Sequence, residues 1–180
     1  MKNIIPLAAL MAALFFVGCQ KFDGNQDSKL YVYLTDNAIL ADEVNVEIQG
    51  VKVKYKGTVE PASSTNPGSS EDWVWLDVNE GVYNLLNFTN GRKTLLAVGG
   101  VPGANIKEMR FVLGKNNTIK FDGQTYPMTL EAGNEFGYKI DVVKKMGIPR
   151  DSITIDFDAA LSVIEVGVHQ YKLVPHLVVK

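Results

Sequence analysis

The stretch Val44-Asn45-Val46-Glu47-Ile48-Gln49-Gly50-Val51-Lys52-Val53-Lys54-Tyr55 sets the fold class. Val44, Val46 and Ile48 alternate with Asn45, Glu47 and Gln49, and such alternation marks a strand buried on one face. Val51, Val53 and Tyr55 then alternate with lysines in the opposite phase. The slip at Gln49-Gly50 predicts a β-bulge or bend, a place where glycine is favoured within a strand.

Outward from this stretch, period two recurs in Leu30 to Leu34, Trp73 to Leu76, Thr94 to Val98, Ile106 to Leu113, Tyr138 to Val143, Ser152 to Phe157, Leu161 to Val166 and Tyr171 to Val179. Gly, Asn and Asp turns separate these runs. Asp122-Gly123 predicts a type I′ hairpin between two short strands, and Pro175 makes the last strand an edge or a bent one. Val82 to Phe88 reads equally as a short helical turn or an irregular strand. Residues 57 to 72 form a Pro/Ser/Gly loop, long enough to be mobile or functional. Roughly eight to ten short strands with no long amphipathic helix predict an all-β fold, a single antiparallel β-sandwich over residues 29–180. A chain of this size can bury enough surface to be stable.

The N-terminus has a different texture. Lys2 precedes an apolar run from Ile4 to Val17, the layout of a signal peptide over residues 1–18. This run is shorter than the 20 or so apolar residues a spanning helix requires. It leads into Phe16-Val17-Gly18-Cys19, which resembles the lipobox of bacterial lipoproteins and implies acylation of Cys19, with palmitate among the attached chains. Cys19 is the only cysteine, so the folded part contains no disulfide. Residues 19–28 read as the lipidated cysteine and a flexible polar tether. Gln20, Lys21 and Asp23 loosely resemble the export signals of Bacteroidetes surface lipoproteins. The expected location is therefore the outer membrane, lipid-anchored, on the cell surface or the periplasmic face. Removing residues 1–18 takes away one lysine and no acid, so the net charge moves from −2 to −3. That excludes a basic nucleic-acid-binding domain.

Several ordered landmarks resemble the DUF4382 family of exported bacterial domains. They are Tyr33-Leu34-Thr35-Asp36-Asn37-Ala38, Trp75-Leu76, Leu85-Leu86 before Asn90-Gly91, Asp156-Phe157-Asp158-Ala159, and Tyr171-Lys172-Leu173-Val174-Pro175. The resemblance covers the mature domain. It implies a β-sandwich of the prealbumin or carbohydrate-binding kind, and the family has no established activity or motif residues to carry over.

The chemistry-bearing residues are few. His169 and His176 are seven residues apart, on opposite faces if the chain is extended, so they form no joint metal site through one strand. No nucleophile elbow or phosphate loop is present. Asp156 and Asp158 share one face of a strand and would begin an oxygen-ligand Ca²⁺ site or a carboxylate pair. Their simpler reading, which is favoured, is as solvent-facing acids at a strand end, with Asp158 capping the turn at Ala159-Ala160 and Asp36 closing a turn at Asn37. Trp73 and Trp75 project from one face of their strand. They either stack sugar rings beside the 57–72 loop or lie covered by neighbouring strands. Asp151-Ser152-Ile153 matches the short Bacteroidetes O-glycosylation acceptor pattern at Ser152, and equally a polar turn entering a strand.

These observations favour a membrane-anchored lipoprotein that carries a non-catalytic binding module, for glycan if the tryptophans are exposed. No cofactor is expected, and the partners are the membrane and a glycan or envelope protein. The alternative is a pilus-like structural subunit of the cell envelope, although the first arginine, Arg92, lies inside the domain, too late for arginine-specific trimming after the lipid. A glycoside-active enzyme, which needs two carboxylates across a cleft, ranks last.

Overall fold

In the computed structural model the slip at Gln49-Gly50 is a register shift in the longest strand, β2 (Glu43–Lys56), against β7 (Asn105–Leu113). Residues 28–37, 39–56, 71–102, 105–132, 136–147 and 149–180 are described. The expected signal peptide (residues 1–18), Cys19, the expected tether as far as residue 27 and residues 57–70 of the expected loop lie outside them, whereas Ser28, counted with that tether, is the buried first residue of β1 (Ser28–Thr35). Because the phase changes at Gly50, Val44, Val46 and Ile48 on one side and Val51 and Val53 on the other all reach the same core.

β2 organises a nine-stranded sheet. One of its edges takes β7 and then β8 (Thr118–Phe121). The other takes β3 (Glu71–Trp75) and β5 (Gly81–Asn84). Beyond β7 lies β10 (Tyr138–Lys145), and beyond β8 come β9 (Gln124–Leu130), β13 (Gln170–Leu173) and β12 (Val163–Gly167). β8 and β9 are joined through Asp122 and Gly123, with φ of 47° and 79°, the left-handed pair that a type I′ turn requires.

The second sheet has five strands in the order β14 (Leu177–Val179), β11 (Arg150–Phe157), β1 (Ser28–Thr35), β6 (Thr94–Val101) and β4 (Asp77–Val78). Leu30, Val32 and Leu34 of β1 and Ile153, Ile155 and Phe157 of β11 face the nine-stranded sheet and join its apolar side chains in one core. A fully buried side chain of this kind contributes about 1.5 to 3 kcal/mol. The molecule is thus an all-β sandwich.

The expected antiparallel pairing needs one correction. β1 pairs with β11, and β9 with β13, in parallel. Parallel neighbours require a long connection, and sequence-distant strands supply it. The expected last strand is also divided. β13 ends at Leu173, and after Val174-Pro175-His176 the chain restarts as β14 in the other sheet, because Pro175 has no N–H to continue a ladder. Leu161 and Ser162, expected to be extended, belong to a single helical turn, α1 (Ala159–Ser162), before β12 begins. Val82 to Phe88 is both of its alternatives in succession, β5 followed by a 3₁₀ turn from Leu85 to Phe88 capped by the Asn84 side chain.

Candidate functional site

β3 is short and pairs only with β2 among the described residues, and its two tryptophans share the outward face. Trp73 is 38% and Trp75 58% exposed. The position of Trp75 depends on Gly50. A Cβ there would come within 2.8 Å of Trp75 Cζ3, so the glycine that allows the bulge also gives the indole its seat. Val74, between them, points inward against the core.

Pairing across β3, β2, β7 and β10 sets charged residues beside the indoles. Lys52 lies opposite Trp75 on one side and Arg110 on the other, and Arg110 is opposite Lys139. In the adjacent row Lys54 lies between Trp73 and Glu108, and Glu108 is opposite Asp141. The Lys52 ammonium is 5.1 Å from the ring centroids of both Trp73 and Trp75, and the Arg110 guanidinium carbon is 5.1 Å from Trp73. These are cation–π distances. Arg110 Nε also donates to Glu108 Oε1 at 2.6 Å. Lys139 Nζ lies 2.8 Å from Asp141 Oδ1 and 4.0 Å from Glu108 Oε2. The acids raise the basicity of Lys139, mainly through its hydrogen bond to Asp141. The four strands span about 14 Å, at about 4.8 Å per neighbour.

Asp156 and Asp158 stand elsewhere, with Asp36. Asp156 is only 2% exposed, unlike the solvent-facing acid expected. Its Oδ2 lies 2.7 Å from Lys180 Nζ and accepts from Asn37 Nδ2 at 3.3 Å. Asp158 fits its simpler reading, as the N-cap of α1. Its Oδ1 accepts from Leu161 N and its Oδ2 from Asn37 Nδ2 at 2.9 Å. Asp36 takes the N–H of Asn37, as expected, and also reaches far beyond it. It is 3% exposed, and its Oδ1 accepts from Ala159 N at 2.8 Å. Asp36 Oδ2 and Asp156 Oδ1 are buried and take no hydrogen bond from a described residue. Burial pushes the Asp36 carboxyl up to about 6. Backbone N–H bonds oppose the shift, and repulsion from Asp156 and Asp158 adds to it. Among the described residues no group of three His, Cys, Asp or Glu is placed to hold a metal ion.

The other singled-out residues are dispersed. Ser152 is exposed on β11 beyond the reach of β14, with its N–H bonded to the side chain of Asp151. His169 occupies a left-handed position in the β12–β13 turn and stacks on Tyr126 at 4.9 Å. His176 donates its N–H to Ser162 Oγ. Sequence reasoning missed Lys52 and Arg110, though strict alternation put Lys52 on the polar face of β2. Only the pairing of β2 with β3 and β7 adds the tryptophans.

The sequence model of the family described as "Domain of unknown function (DUF4382)" matches residues 27–175. The chain belongs to the DUF4382 family. No curated protein and no solved structure matches it. The DUF4382 landmarks of this chain meet in space. Thr35 pairs with Asp156 and Asp36 holds Ala159. Thr35 Oγ1 and Asp36 N donate to Phe88 O, and Thr35 Oγ1 also donates to Arg92 O, across the Asn90-Gly91 turn. Val174 N donates to Ser162 O. In this DUF4382 domain the landmarks therefore fasten one corner of the sandwich, and of them only the Trp75-Leu76 pair reaches the aromatic face.

Proposed function

We propose that this chain is a membrane-anchored lipoprotein, acylated on Cys19 and held at the outer membrane, whose sandwich is a non-catalytic binding module for glycan. The observation that carries the binding reading is the outward pair Trp73 and Trp75, at 38% and 58% exposure. Two adjacent indoles bury the apolar C–H face of sugar rings, and large aromatics kept in solvent act as anchors. The anchor reading rests on Phe16-Val17-Gly18-Cys19. Palmitate labelling is expected to mark the wild type and to disappear in Cys19→Ala, with protease shaving of intact cells assigning the face. On a broad glycan array the protein is expected to bind, and Trp73→Ala and Trp75→Ala each to weaken binding at least tenfold. Wild-type array behaviour in both variants would remove the reading.

One observation favours a structural, pilus-like subunit. β12 pairs only with β13 among the described residues, and along it Ile164 and Val166 are exposed, with Val168 exposed in the turn that follows. An apolar free edge accepts a strand from another chain. Polymer in surface extracts would put this reading first.

A further inference from the structure

Lys52 differs from the cations around it. Arg110 is matched by Glu108, and Lys139 by Asp141 and Glu108, so the far half of the ladder is neutralised within itself. Lys52 has no carboxylate within ion-pair distance among the described residues. Its ammonium instead lies between the two exposed indoles, 5.1 Å from each. An ammonium so placed is partly stripped of water by the flanking rings. It also offers three N–H donors at the spot where a stacked ligand would rest. A neutral sugar gains little from a positive charge there, whereas a sugar with a carboxylate or sulfate forms a charge-assisted hydrogen bond while its ring stacks.

We infer that the Trp73-Lys52-Trp75 cluster recognises an anionic polysaccharide, with the indoles holding the ring faces and Lys52 the acidic substituent. This rests on the glycan reading above and narrows it. The protein's overall negative charge makes diffuse attraction to polyanions a poor substitute for a local contact.

The test uses the full chain purified in detergent and four probes, polygalacturonate, neutral galactan, dextran sulfate and neutral dextran, with affinity read by titration calorimetry. Binding is expected to favour an acidic probe over its neutral counterpart and to weaken as salt is raised. Preference for polygalacturonate assigns the contact to carboxylate, and preference for dextran sulfate to sulfate. Lys52→Met keeps the apolar stem and is expected to lose about tenfold in affinity for the acidic probe, with Lys52→Arg restoring most of it. Equal affinity for acidic and neutral probes, unchanged in Lys52→Met, overturns the anionic specificity and leaves the glycan reading standing. Equal losses in Lys52→Met and in the remote Lys172→Met mean diffuse attraction and also overturn it. No binding to either acidic probe, with an unchanged melting temperature in every variant, overturns the anionic inference, and the glycan array decides the broader reading separately.

Discussion

Asp36 carries a buried carboxyl oxygen with no hydrogen-bond donor among the described residues, and its pKa is pushed up to about 6 from an ordinary 3.8. A raised carboxyl pKa means that the fold prefers the protonated form. Its contribution to stability is fully present below about 3.8 and is lost as pH rises through about 6. Asp36→Asn keeps an acceptor for Ala159 N without the charge. It is expected to raise stability at pH 7 by on the order of 1 to 2 kcal/mol and to flatten the dependence between pH 4 and 6. Urea midpoints measured across that range check this, and a variant profile parallel to the wild type would refute it. Local reading gave Asp36 a turn at Asn37, because short polar residues commonly bond their own backbone. Beside the N–H of Asn37 it holds a second partner 123 residues along the chain, where no local pattern points. Asp158 was legible because a helix cap acts on its own next turn.

At the scale of elements, the bulge of β2 and the indole of Trp75 are one device. Gly50→Ala places a methyl group 2.8 Å from Trp75 Cζ3, and the exposed ring can swing aside. Stability is expected to fall by less than about 1 kcal/mol, with a shifted Trp emission maximum and weaker array binding. Emission and binding both unchanged would separate the bulge from the site. The free edge of β12 supports another expectation. Val166→Lys places charge where Val166 is 59% exposed, so it is expected to lower self-association without lowering the melting temperature, as light scattering would report. Strand positions, the bulge and the Asp122-Gly123 hairpin were legible because alternation and turn chemistry are local. Which strands are neighbours was not, and the cationic half of the site exists only through that pairing. The division of the last strand was half legible, since Pro175 announced a disturbance but not a change of sheet.

Across the whole molecule, one apolar core joins two sheets, and a defect in either is felt by both. Phe157, fully buried on β11, belongs to the five-stranded sheet, while both tryptophans report on the nine-stranded one. Phe157→Ala is expected to cost about 3 to 5 kcal/mol and to move the Trp fluorescence transition together with the far-UV circular dichroism transition. A fluorescence midpoint that stays put while the circular dichroism midpoint falls would show that the sheets unfold separately.

The parallel ladder of β1 on β11 has a consequence in time. β1 is made early, yet the neighbour that covers one of its edges leaves the ribosome only after most of the domain has been synthesised. Until then the first strand holds half its hydrogen bonds to water, and the corner formed by Thr35, Asp36 and Ala159 cannot close. Such a chain stays loose through most of its synthesis and locks late. The export proposed for this chain would call for that property, since a chain must be threaded before it folds.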